Sequence, residues 1–190
     1  MIKAGILGAT GYAGAELVRL LLAHPDIEIA AVGSVSFEGK PLSSVYPALR
    51  GLCDRICEPA ETVVEKSDLV FAALPHGLSQ ETAAVCDAAG KAFIDLGADF
   101  RLDDPDTYKA WYGCEVVHPD LHEKAVYGLP ELHRAEMASA RLRAARALSG
   151  RNPENPYYRQ SRLLSDQRGS RSGSGSAERF CRDVRDRGRF

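Results

Sequence analysis

Residues 2–15, IKAGILGATGYAGA, decide how the rest of this chain is read. Ile2 to Leu7 is an apolar run of strand length, and Gly8, Gly11 and Gly14 follow at three-residue spacing. From about Ala13 to Ala23, Leu17, Leu20 and Leu21 fall on one helical face. A strand that turns through glycines straight into a helix leaves the first helical N–H groups exposed, and that positive end suits a phosphate. The GxxGxxG spacing differs from the commoner GxGxxG. Assigning the turn to a dinucleotide's pyrophosphate therefore rests as much on the strand before it and the helix after it as on the glycines. Gly8, Thr10, Gly11, Tyr12, Ala13 and Gly14 are the residues expected to hold that group.

Working outward, His24-Pro25 ends the first helix, because proline cannot donate the next backbone bond. Ile27 to Val32 (IEIAAV) reads as a second buried strand, Thr62 to Lys66 as a short helix, and Leu69 to Leu74 (LVFAAL) as a third strand. A helix from about Ser79 to Ala89, closed by Gly90, leads to another strand at Ala92 to Leu96. Strands alternating with helices predict an α/β chain with a doubly wound parallel sheet. Ser34 to Arg50 and Gly97 to Asp106 read as long connections at strand ends, where such sheets carry their ligands. Tyr127 to Pro130 turns the chain toward a helical pattern from about Arg134, and no internal repeat is visible.

The end of the second strand bears on which nucleotide is bound. An acidic residue there would hold a free ribose 2′-OH and repel a 2′-phosphate. Here Ser34 and Ser36 offer hydroxyls, with Lys40 beyond them, so NADP is the expected cofactor, although Glu38 lies in the same loop. Leu74, Pro75, His76 and Gly77 form a kinked stretch at the end of the third strand, level with the glycine turn, where the nicotinamide half would pass. Asp99 and Arg101 are candidates for the substrate side, since a guanidinium suits a carboxylate or phosphate; a plain salt bridge is the competing reading. His118 and His122 flank Pro119 without a matching carboxylate or thiol set, so no metal site is expected.

With 190 residues, 45% of them hydrophobic, the chain can bury one good core and the beginning of a second. Its net charge of -2 hides an asymmetry. Residues 1–140 hold 11 basic and 21 acidic residues, whereas residues 141–190 hold 13 Arg, no Lys and 5 acids. Five scattered cysteines (Cys53, Cys57, Cys86, Cys114, Cys181) fit reduced thiols better than a disulfide scaffold. No leader segment is expected, since Ile2 to Leu7 is strand-sized, and the sequence holds no apolar run of about 18 residues. A cytoplasmic protein without a membrane partner is expected.

GATGYAGAELVRLL, KPLSSVYPALRGL, AALPHGLS, DLGADFRL and VYGLPELHR, in that order, resemble the N-acetyl-gamma-glutamyl-phosphate reductase family, which is related to aspartate-semialdehyde dehydrogenase. The resemblance covers about residues 1–142. It implies a Rossmann-like NADP-binding domain followed by an α+β catalytic and dimerisation domain, in an enzyme of arginine biosynthesis that forms homo-oligomers. It further implies a small-molecule acyl phosphate as substrate. A cysteine thiolate displaces phosphate, and the thioester then accepts a hydride to give the semialdehyde. The family places that cysteine in Asn-Pro-Gly-Cys-Tyr-Pro-Thr after the YGLPEL segment, and no such motif occurs here. Cys53, Cys57, Cys86 and Cys114 precede YGLPEL, and Cys181 lies in Arg-rich, unpatterned sequence; no residue matches the family's histidine. No catalytic residue is therefore assigned, and the chain as written is expected to be inactive.

Residues 143–190 read as an unpatterned basic tail, disordered and out of frame. RQSRLLSDQ (residues 159–167) can be encoded so that dropping one nucleotide yields Ala-Asn-Pro-Gly-Cys-Tyr-Pro-Thr, and ENPYY before it can become Lys-Thr-Arg-Ile-Thr by the same slip. The alternative is a non-catalytic NADP-binding module whose tail is regulatory or binds nucleic acid. Nucleic acid is not expected as a partner, because the tail has no aromatic interleaving beyond Tyr157-Tyr158.

Overall fold

The structure is a computed structural model and describes residues 1–139 and 142–144. Ile2–Leu7 forms β1, which lies between β2 (Ile27–Gly33) and β4 (Leu69–Ala72) and pairs parallel with both. A parallel neighbour requires a crossover. These crossovers contain α1 (Tyr12–Leu21), α2 (Ala60–Lys66) and α3 (Ser79–Ala88), the last leading to β5 (Ala92–Asp95). With β3 (Cys57–Glu58), β6 (Val126–Tyr127) and β7 (Leu142–Ala144), the described sheet has the order β3-β2-β1-β4-β5-β7-β6 and is parallel at every pairing. The chain runs outward from β1 in one direction and then returns to build on its other side. The cleft where that direction reverses, at the carboxyl ends of β1 and β4, is where such sheets take ligands.

Each sheet face carries its own core. Ala4, Ile6, Ile29 and Val32 pack with Val18 and Leu21 of α1 on one face; Leu7, Ala31, Val70 and Phe93 pack with Val63 of α2 and Ala83 of α3 on the other. Ile29 and Ala31 are two residues apart yet serve opposite faces, because the β1–β2 register slips between Ala4 and Gly5 and skips Ala30. Each fully covered large apolar side chain, such as Phe93 or Phe100, contributes about 1.5–3 kcal/mol.

The chain divides into two compact units. The first contains Met1–Arg101 and the described part of Val117–Arg146, including α5 (Pro119–Lys124) and α6 (Pro130–Ser139). The described part of the second is Leu102–Val116, which holds α4 (Pro105–Tyr112). There the Asp104 carboxylate accepts from the Thr107 amide at 2.9 Å, Pro105 opens the helix, and the Tyr108 and Tyr112 rings lie 5.3 Å apart.

The predicted alternation of strands and helices matches the observed one, with boundary shifts of up to two residues through β5; α6 begins at Pro130, four residues before the helical pattern expected from about Arg134. Helices α4 and α5, and the two-residue strands β3 and β6, lie where sequence reading expected connections or saw no element. Among the described residues, no helix is long and apolar enough to cross a membrane. Strand β7 pairs Leu142 with Phe93 and runs to Ala144, just past the expected limit of the patterned region. RQSRLLSDQ and Cys181 lie outside the described residues.

Candidate cofactor-binding site

The turn after β1 is possible only with glycine at two positions. Gly8 has φ +73°, and a Cβ there would overlap the Ala73 carbonyl oxygen at the end of β4. At Gly14 a Cβ would overlap the Gly8 carbonyl oxygen and lie 2.7 Å from Ala9 Cα. These contacts press the start of α1 onto the turn. Gly11 occupies the cap position in extended conformation and has no side chain to cap the helix; no acidic residue stands in the first turn. The N–H groups that begin a helix lack intrahelical acceptors, and here no described side chain supplies one. Gly11, Tyr12 and Ala13 are exposed while Gly14 is buried, so the open helix end faces outward.

The end of β2 is tied to this turn. Ala9 N donates to Gly33 O at 3.1 Å, and the Thr10 and Ser34 hydroxyls are hydrogen-bonded at 2.7 Å. Tyr46 OH donates to the Thr10 carbonyl at 2.9 Å. Sequence reading missed Tyr46, whose only signal was its place in KPLSSVYP. Ser36 is exposed beyond Ser34, and the Lys40 ammonium lies 5.8 Å from the Phe37 ring centre.

Leu74, Pro75, His76 and Gly77 leave the end of β4, next to the glycine turn through the Gly8–Ala73 contact. Pro75 and Gly77 are exposed, and Leu74 and His76 are half-buried. Asp99 is fully buried and does not face outward: its Oδ1 accepts from Gly77 N at 2.5 Å and its Oδ2 from Ser79 N at 2.8 Å. The Arg101 guanidinium donates to Gly97 O at 3.1 Å. Asp95, also buried, accepts from Gly97 N at 2.9 Å. Burial pushes its pKa above the usual carboxylate value, against the lowering effect of the Gly97 amide, while the Asp99 charge adds to the rise.

Two of the described cysteines, Cys57 and Cys86, are poorly suited to act as nucleophiles. Cys53, Cys57 and Cys86 are buried, and Cys114 is half-buried. Burial pushes the Cys86 thiol up to about 11 and raises that of Cys57, which disfavours the reactive thiolate. The His118 ring lies 3.4 Å from the Glu81 carboxylate, whereas His122 is buried with its ring centre 4.8 Å from that of Phe100. A mostly apolar groove of about 680 Å³ runs along the flank of α1 past Tyr12 and Leu52; its charged residues, Glu16 and Arg19, pair with each other at 2.5 Å.

Several known proteins are similar to this chain. It is 51% identical over 142 residues to the N-acetyl-gamma-glutamyl-phosphate reductase of Clostridium beijerinckii, covering 75% of the chain and 41% of that protein. The reductase of the same name from Thermus thermophilus is 51% identical over 138 residues, or 73% of the chain and 39% of that protein. The chain thus spans about two fifths of the length of the curated relatives it matches. In fold it is similar to aspartate semialdehyde dehydrogenase II from Vibrio cholerae, solved in complex with ASA. That likeness has a TM-score of 0.52 at 16% identity and covers 76% of this chain and 37% of that one. Residues 3–140, which carry the glycine turn and the strands around it, match the semialdehyde dehydrogenase, NAD binding domain family, and the chain belongs to that family.

Proposed function

We propose that this chain is the cofactor-binding part of an N-acetyl-gamma-glutamyl-phosphate reductase and that it prefers NADPH to NADH. The observation that carries this reading is the start of α1: a helix end that no described side chain fills, held against a turn where a Cβ at Gly8 or Gly14 would meet backbone. Those features fit a pyrophosphate. The backbone of Gly8, Thr10, Gly11, Tyr12, Ala13 and Gly14 holds it, and Ser34 and Ser36 receive the 2′-phosphate at the end of β2. Leu74 to Gly77 border the nicotinamide half. When bound, NADPH supplies the hydride that reduces the acyl group.

The whole reaction takes an N-acetylglutamyl phosphate to its semialdehyde plus phosphate. It needs a thiolate, which the family carries in Asn-Pro-Gly-Cys-Tyr-Pro-Thr; that motif does not occur in this sequence, and this supports a chain that binds cofactor without turnover. The patterned domain ends near Leu142, and the Arg-rich remainder is a frame slip that the nucleotides encoding residues 143–190 would reveal. A cytoplasmic setting and a homo-oligomeric whole protein complete the reading, with no role for nucleic acid.

Titration of the chain with NADPH and NADH tests the proposal. NADPH should bind about tenfold or more tighter, and Ser34→Asp should remove that preference by placing a carboxylate against the 2′-phosphate. A chain whose fluorescence and melting temperature ignore NADPH does not have this function.

A further inference from the structure

Asp99 ties together two loops at the end of the sheet. It is a fully buried carboxylate at the carboxyl end of the sheet, and both oxygens receive backbone amides of one neighbouring loop, Gly77 at 2.5 Å and Ser79 at 2.8 Å. Ser79 is the first residue of α3, whose own cap residue, Leu78, has no group to accept those amides. The carboxylate therefore serves as the missing cap from 20 residues further along the chain. It also faces the positive pole of α3, which strengthens the bond. The same loops lie close where they leave the sheet: Leu96 N donates to Ala72 O at the end of β4 at 2.9 Å, and Gly97 is so near the Leu74 carbonyl that a Cβ there would stand 3.2 Å from its oxygen. The loop after β5 thereby fixes the loop after β4.

We infer that Asp99 is a positioning residue which holds Leu74 to Gly77 in the form that receives the nicotinamide half of the cofactor, rather than a contact to substrate. This inference rests on the cofactor reading above. Both loop amides are already occupied, so the site meets its ligand with the loop set in advance. Without the carboxylate the loop samples other forms, and apparent affinity falls by the fraction of time it spends in the competent one. That loss concerns only ligands that reach the loop. A ligand confined to the glycine turn and Ser34 is spared.

The decisive comparison uses the full chain and two ligands: NADPH, and 2′,5′-ADP, which has the adenosine half and the 2′-phosphate but no nicotinamide. In Asp99→Asn, Kd for 2′,5′-ADP should stay within about twofold of the unmutated chain while Kd for NADPH rises about tenfold. Equal losses for both ligands, or no loss for either, overturn the assignment. An unmutated chain that binds neither ligand overturns the cofactor reading itself, and this inference with it. Should Asp99→Asn not fold, amide exchange in the unmutated chain decides. Slow exchange at Gly77 and Ser79 without ligand supports a loop set in advance, and fast exchange that slows only when NADPH is added overturns it.

Discussion

Helices α1 and α3 begin alike, each leaving the carboxyl end of a neighbouring strand of one sheet, yet their first turns are treated in opposite ways. At α1 the cap is a glycine, the first turn has no acid, and Gly11, Tyr12 and Ala13 are exposed. At α3 a buried aspartate from another loop takes up the free amides. The same electrostatic feature, a positive helix pole, is kept open in one place and neutralised by the protein in the other. An anion from solution can compete for the first and not for the second. An α-helix N-terminus is therefore informative about ligands only once its own residues have been checked for a resident carboxylate.

The strongest way to break this contrast is Gly14→Ala. The added methyl meets the Gly8 carbonyl and Ala9 Cα, both backbone and unable to yield cheaply. NADPH binding should become undetectable by fluorescence titration, and denaturant unfolding should show a loss of about 3 kcal/mol. A helix end filled by the protein at the opposite pole sharpens the comparison. Lys91 Nζ donates to the carbonyls of Val64, Glu65 and Ser67 at 2.6, 2.9 and 2.7 Å, closing the carboxyl end of α2. Lys91→Met should cost about 1–2 kcal/mol in urea unfolding and leave NADPH affinity within about twofold, because that end serves structure alone.

The smallest effect concerns Asp95, beside the filled end of α3. Burial raises its folded-state pKa above the ordinary 3.8, so the folded chain holds that proton more tightly than the unfolded chain does. Stability is therefore lost as pH climbs from 3.8 through the folded value, and the loss persists at neutral pH. Asp95→Asn, shaped like the protonated acid, escapes it. The variant should melt up to a few degrees higher than the unmutated chain at pH 7, and the difference should vanish as pH is lowered toward 3.8 in thermal scans.

How far the chain could be read in advance follows from which forces are local. Strands β1, β2, β4 and β5 are mainly apolar, interrupted by Lys3, Glu28 and Asp95, and the glycine turn is announced by spacing, so these were legible; α1 was placed by Leu17, Leu20 and Leu21, but the face it buries is Gly14, Val18 and Leu21, and Leu20 is exposed. Helix α4 carried its own start signal in Asp104-Pro105, but its sequence, PDTYKAWY, lacks the apolar spacing that would have marked it as more than a connection. Strands β3 and β6, with two residues each, exist only through their partners and leave no periodic trace. In the site, the glycine turn was read from its own residues, and Asp99 was named within the long connection after β5. Its bonds to Gly77 and Ser79, and that of Tyr46 to Thr10, span 22, 20 and 36 positions; no short-range pattern encodes such pairings.

The Tyr46 hydroxyl has a bearing on engineering. It is the point at which the long excursion between β2 and β3 grips the main chain of the glycine turn, acting as a guy-line on a mast. Shortening or replacing that excursion, as a chimaera with a related domain would do, slackens the turn even when every glycine is kept. A graft that preserves a phenol at this reach retains the tension, and one that omits it needs another strut to Thr10.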